Sequence, residues 1–188
     1  MASKLIDGLH DNPIIAAINS EAEVEAVLTS NIEVVFFLKS NILELKSVTD
    51  RIKNSGKSIF IHADLVDGLS KDLNGLKYII NVVKPDGIIT TKTSFIKFAK
   101  SKNVIAIQRL FILDSLNLKT GIESTKACNP DAVEILPGIM PSVTKEIVCA
   151  TRKPVITGGL IRTKNDVVES LKAGAIGVST SNVDIWDV

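Results

Sequence analysis

Short apolar runs and polar stops alternate along this chain with a regular beat. Pro13-Ile14-Ile15-Ala16-Ala17-Ile18 ends in Asn19-Ser20, and an acidic helix is expected from Glu21 to about Leu28. Glu21, Glu23 and Glu25 suit a helix start, where the dipole favours negative charge. Glu33 to Leu38 (E-V-V-F-F-L) is continuously apolar, the pattern of a strand covered on both faces. Ser40-Asn41 offers a cap to a helix carrying Ile42, Leu45, Val48 and Ile52 at helical spacing, and Gly56 ends it. Ser58 to His62 (S-I-F-I-H) predicts a third strand. The loop Ala63 to Lys71 leads to a helix whose apolar face is Leu73, Leu76, Ile79, Ile80 and Val83. Pro85-Asp86-Gly87 turns the chain into a short fourth strand, Ile88-Ile89-Thr90, and a lysine-rich helix spans about Ser94 to Ser101.

The same beat continues in the second half. Val104 to Gln108 is the fifth strand, but Arg109 is followed by Leu110-Phe111-Ile112-Leu113, apolar residues where a polar loop is expected. Asp114-Ser115 caps a helix to about Ala127, and Asn129-Pro130-Asp131 turns into strand six, Ala132 to Leu136. Pro141-Ser142 opens a helix to about Ala150. Lys153-Pro154 leads into strand seven, Val155-Ile156-Thr157. Thr163 caps a helix that Gly174 ends, and strand eight is Ile176 to Ser179. After it Asn182 to Val188 are too few for a full eighth helix. The pattern is eight strands and seven clear helices in one domain, 1–188, with no linker or low-complexity tract.

Eight βα units are best closed as a TIM-type (β/α)₈ barrel, compact, with a reduced last helix and a weakly covered stave beside strands eight and one. An open doubly wound sheet is the runner-up, but no G-x-G-x-x-G follows strand one. Composition narrows the class. The 188 residues carry a formal net charge of +1, so nucleic-acid or membrane affinity would need a local patch. Aromatics make up only 4%, so aliphatic side chains must fill the core. Cys128 and Cys149 show neither metal-ligand spacing nor a disulfide framework, no metal-ligand cluster is present, and no cofactor is implied. Met1 to Asn12 lacks an apolar secretory core and no run reaches a membrane span of about 20 residues, so a cytoplasmic protein is expected.

In a barrel, function sits where the strands end. Those ends are Asn19, Lys39, His62 with Asp64, Thr90 to Lys92, Gln108 with Arg109, Glu134, Gly158-Gly159, and Ser179 to Ser181. Gly158-Gly159 and Ser179-Thr180-Ser181, at the ends of strands seven and eight, supply close backbone approach and hydroxyl donors for a phosphate. Period-two alternation separates Glu134 from Val133 and Ile135 and turns it into the barrel, where it needs a partner; Lys39 and Arg109 are the candidates. Two readings follow: a small phosphorylated ligand whose hydroxyls meet Asp64 and Glu134, or an internal salt-bridge network. His62 reads as a core histidine. Lys39 at a strand end would also suit Schiff-base chemistry. From Gly87 to Leu113 there is no acid, while Lys92, Lys97, Lys100, Lys102 and Arg109 fall there, a segment that could meet nucleic-acid phosphates or simply be a solvated helix face. The Leu110–Leu113 run with Ile139-Met140 is a patch for self-association, a lid or ordinary loop burial to cover.

Six strings in order carry a resemblance: H-A-D-L-V-D-G-L (His62 to Leu69), P-D-G-I-I-T-T-K (Pro85 to Lys92), A-I-Q-R-L-F-I-L-D-S (Ala106 to Ser115), V-E-I-L-P-G-I-M-P (Val133 to Pro141), G-G-L-I-R-T (Gly158 to Thr163) and T-S-N-x-x-x-W ending at Trp186. From about Pro13 to Trp186 the chain resembles the glycerol-3-phosphate-responsive antiterminators of the bacterial glycerol uptake operon. The resemblance implies a (β/α)₈ barrel that senses glycerol 3-phosphate and, when loaded, binds leader mRNA to prevent termination; it implies no catalysis. It further implies Gly158, Gly159, Thr180 and Ser181 at the phosphate with Arg162 nearby, Asp64, Arg109 and Glu134 lining the pocket, and Lys92 at a basic position. A phosphosugar isomerase or aldolase using Asp64, Glu134 or Lys39 is the alternative, and a homo-oligomer is possible.

Overall fold

The computed structural model describes residues 2–186. Eight parallel strands close into a barrel: β1 (Ile14–Ile18), β2 (Val34–Phe37), β3 (Ser58–His62), β4 (Gly87–Thr90), β5 (Ile105–Phe111), β6 (Ala132–Leu136), β7 (Val155–Gly158) and β8 (Gly177–Thr180). Each strand pairs with its sequence neighbours, and β8 returns to β1 with Ile14 opposite Val178 and Ala16 opposite Thr180. The helices are α1 (Ala2–Asp11), α2 (Val24–Thr29), α3 (Leu45–Asn54), α4 (Leu73–Tyr78, running into a π turn at Ile79–Val83), α5 (Thr93–Ser101), α6 (Ser115–Cys128), α7 (Pro141–Thr151) and α8 (Lys164–Lys172). Thr163 and Asp166 form a reciprocal capping box on α8, and the Asp114 carboxylate accepts from Asn117 N–H on α6.

Alternation along the strands divides the apolar residues into two shells. Ile15, Val34, Phe36, Phe60, Ile89, Ile107, Ala132 and Ile156 fill the barrel. Their outward neighbours, among them Ile14, Ala16, Val35, Ile59, Ile88 and Val178, pack beneath the helices. Among the described residues no α-helix follows β8. A single 3₁₀ turn, Val183–Ile185, stands there, and Ile185 and Trp186 are buried in the outer cluster that also holds Ile14, Ala16 and Val178. The stave that sequence left thinly covered is thus closed by a tryptophan, whose indole N–H donates to Thr180 O at 3.0 Å.

Three elements depart from expectation. First, α1 precedes β1, and its Leu5 and Leu9 join the interior cluster with Ile15, Val34, Phe36 and Phe60. Gly8 lets the helix approach β2, since a Cβ there would lie 3.1 Å from Val34 Cγ2. Second, Ser40-Asn41 does not cap α3. It is a two-residue strand paired with Val66–Asp67, and the Asn41 side chain accepts from the N–H groups of Leu43 and Glu44. The loop from Ala63 to Lys71 supplies the other strand of that ribbon, and Leu73, expected on an apolar face, is exposed. Third, β5 continues to Phe111, and alternation explains the odd apolar run: Leu110 and Ile112 pack against Val133, Ile135 and Ile147, while Phe111, on the row of Ile107 and Arg109, and Leu113 are exposed. Among the described residues no helix is long and apolar enough to cross a membrane.

Candidate ligand site at the barrel mouth

The same alternation that fills the barrel builds the site. Two residues beyond Phe60, Ile107, Ala132 and Ile156 come His62, Arg109, Glu134 and Gly158, so each continues an interior row to the carboxyl ends of the strands. Glu134 is fully buried and Arg109 is 5% exposed. Arg109 Nε donates to Glu134 Oε2 at 2.7 Å, and Ser179 Oγ donates to Glu134 Oε1 at 2.7 Å. The carboxylate expected inside the barrel is there, and its partner is Arg109; Lys39 is exposed at the end of β2. The pairing follows register, because Arg109 and Glu134 stand directly opposite each other on β5 and β6. Gly158 makes the arrangement possible. A Cβ there would press on Ser179 Oγ and come within 2.8 Å of Glu134 Oε1. Gly158→Ala should therefore cost about 1–3 kcal/mol by overpacking. Thermal unfolding should drop by roughly 2–12 °C for a chain of this size.

A cavity of about 210 Å³ opens over this group, lined by Arg109, Glu134, Ser179, Thr180 and Ser181 with Gly159 to Ile161 and, on the other side, Ala17, Asn19 and Leu38. That is smaller than the roughly 300–1,000 Å³ of drug-sized ligand sites, so a ligand of a few carbons fits it. Gly159 (φ 73°) and Leu160 (φ 61°) are consecutive left-handed residues in the β7–α8 loop. For leucine this costs on the order of 1–3 kcal/mol, a strain that clusters at functional loops. Thr180 Oγ1 donates to Ile161 O at 3.2 Å and Asn182 Nδ2 to Arg162 O at 3.2 Å, tying the loops after β7 and β8 together. The Arg162 side chain is exposed at the start of α8.

The remaining candidates fall elsewhere. Asp64 does not line the cavity. Its carboxylate accepts from Thr90 Oγ1 (2.9 Å), Thr91 N–H (2.7 Å) and Thr91 Oγ1 (3.0 Å), fastening the loop after β3 to the end of β4 and the loop that follows it. Gln108 points outward, between Ser124, Thr125 and Cys128 of α6. His62 is 3% exposed, and neither ring nitrogen makes a hydrogen bond of good geometry. Its Nε2 lies 3.6 Å from Asp64 Oδ2. Burial first, and the Arg109 charge second, push its pKa from 6.5 down to about 4, against the opposite pull of Asp64 and the Leu38 backbone. One Arg109 nitrogen, Nη2, is likewise buried without a partner. Neither feature is visible in sequence, which reads His62 only as a core histidine.

The lysines do not form one uniform face. Lys92 Nζ donates to Lys71 O and lies 4.7 Å from the Phe95 ring, at the mouth end of α5. Lys100 Nζ is paired at 2.7 Å with Asp131, whose other oxygen accepts from Ala106 N–H. Lys97 and Lys102 are exposed. Around the mouth, Leu43, Phe111, Leu113, Leu116, Ile139 and Leu160 leave an exposed apolar rim.

Fold and site together define a (β/α)₈ barrel with a charged, buried floor beneath a small mouth. Among such barrels the chain belongs to the glycerol-3-phosphate responsive antiterminators: the model of that family matches residues 14–186. The Escherichia coli (strain K12) uncharacterized protein YgcP is 36% identical over 182 residues, covering 97% of this chain and 95% of that one. The glycerol uptake operon antiterminator regulatory protein of Listeria monocytogenes superposes with a TM-score of 0.91 at 35% identity, over 94% of this chain and 95% of that chain. A glycerol uptake operon antiterminator-related protein of Thermotoga maritima gives 0.82 at 34% identity, over 92% and 96%. Deoxyribose phosphate aldolase of Aeropyrum pernix, at 13% identity and a TM-score of 0.73, shares the fold alone.

Proposed function

We propose that this protein senses glycerol 3-phosphate at the barrel mouth and, when loaded, binds the leader RNA of glycerol-utilisation genes and antiterminates their transcription. The observation that carries the ligand half is Arg109, a buried guanidinium held by Glu134 that lines a small cavity at the ends of the strands. The phosphate belongs at Gly158-Gly159, Thr180 and Ser181, the loops after strands seven and eight that hold phosphate in many such barrels, with Arg162 at the edge. The regulatory half rests on family membership. An isomerase or aldolase is disfavoured, because of its expected groups Asp64 is engaged by Thr90 and Thr91, Glu134 is held by Arg109 and Ser179, and Lys39 is outside the cavity lining.

RNA binding should appear with glycerol 3-phosphate and not with glycerol or inorganic phosphate, measured by gel shift at fixed salt. By linkage, RNA then tightens ligand binding by the same factor. Lys97 and Lys102 are the lysines free to meet phosphates. Lys97→Glu with Lys102→Glu should leave ligand affinity unchanged and lower the slope of log affinity against log salt by about two, one per lost contact. Absence of RNA binding in both ligand states would refute the regulatory reading.

A further inference from the structure

Most of the polar wall of the mouth cavity is already matched within the protein. Glu134 accepts from Arg109 and Ser179, and the Thr180 hydroxyl donates to Ile161 O while accepting from Asn182 N–H at 3.1 Å. Asn19 is different. It lines the same cavity from the end of β1, four strands round the barrel from Arg109 on β5. Alternation turns it toward the axis, because Ile15 belongs to the interior cluster, Ala17 lines the cavity, and Asn19 comes next in that row. Its backbone is held, since the Asn19 N–H donates to Glu23 Oε2 at 2.6 Å. Its carboxamide makes no hydrogen bond among the described residues, and it caps no helix, for the 3₁₀ turn that follows starts from Ser20.

The chemistry of that free carboxamide selects its partner. It offers two donor hydrogens and an acceptor oxygen, and no charge. A fully ionised phosphate only accepts, so it would leave the amide oxygen unmatched. A hydroxyl both donates and accepts, and a vicinal pair can satisfy the oxygen and the NH₂ together. At about 210 Å³ the cavity is small enough for an occupant that fills it to touch opposite walls, and Leu38 and Leu136 give it apolar wall for a short carbon chain. Resting on the glycerol 3-phosphate reading above, we infer that Asn19 is a specificity-determining residue: with the phosphate at the β7 and β8 loops, its carboxamide binds the ligand's hydroxyls and separates a polyol phosphate from an alkyl phosphate.

Titration calorimetry with sn-glycerol 3-phosphate and with propyl phosphate, which keeps the phosphate and lacks both hydroxyls, tests this on wild type and on Asn19→Ala. Asn19 is exposed and its side chain holds nothing in the fold, so the variant should unfold at the wild-type temperature. Wild type should prefer glycerol 3-phosphate. The substitution should weaken glycerol 3-phosphate by about 5- to 30-fold, the loss of one or two hydrogen bonds, and change propyl phosphate by less than about twofold. Equal losses for both ligands, no loss for either, or a wild type without preference would overturn the role of Asn19 while leaving the phosphate site standing. A wild type that binds neither ligand would remove the glycerol 3-phosphate reading as well. Should the variant not fold, the Asn19 carboxamide resonances of the wild type decide the matter. They should move on adding glycerol 3-phosphate and stay put on adding propyl phosphate; the same response to both ligands would overturn the inference.

Discussion

Arg109→Met should unfold at a temperature roughly 6–20 °C below the wild type and bind no glycerol 3-phosphate. The first effect follows from Glu134, which would keep its charge inside the barrel with only Ser179 to satisfy it. Removing one partner of a buried ion pair costs about 3–5 kcal/mol, and a chain of this size loses some 2–4 °C per kcal/mol. The second follows from the loss of the guanidinium that lines the cavity. Stability and binding are separable. In Arg109→Met with Glu134→Leu the buried charge is gone along with its partner, so most of the stability should return. Ligand binding should not. Calorimetric unfolding and ligand titration of the two variants check both halves, and a double variant as unstable as the single one would show that the pair is not the source of the loss.

The second large effect lies at the opposite end of the barrel. Leu5 and Leu9 of α1 are 1% and 3% exposed and belong to the interior cluster, with Leu9 side-chain carbons lying close beneath Gly177. Leu9→Ala should cost about 2–5 kcal/mol, and Leu5→Ala a similar amount. Unfolding midpoints should fall by roughly 4–20 °C for each. Both substitutions lie far from the mouth, so ligand affinity measured well below the midpoint should be unchanged. Wild-type stability in either variant would mean that α1 does not seal the barrel.

What could be read from sequence was what is periodic or local. Eight runs ending in polar or glycine residues were enough for eight strands, and alternation alone turned Glu134 inward. The same alternation, applied to Gln108, sends it outward with Ala106, as the contact with Thr125 shows. Its place near a strand end did not make it part of the mouth. Other features depend on partners distant in the chain. Asp64 meets Thr91 27 residues on, and Lys100 meets Asp131 31 residues on. No local pattern announces such pairs, so a carboxylate expected to meet ligand ties two loops instead, and a lysine expected to face RNA is bound to an acid. Helix α1 escaped notice for a related reason: its apolar positions make sense only against the floor of a barrel that the rest of the chain must first build.

Trp186, the chain's one tryptophan, is buried in the outer cluster beside the end of β8. Its indole N–H is bonded to the carbonyl of Thr180, and Thr180 lines the cavity. A single fluorophore is therefore wired to the rim of the candidate site, with no second emitter of its kind to blur the signal. Whatever enters or leaves the mouth can be timed by light from the protein itself, without a label.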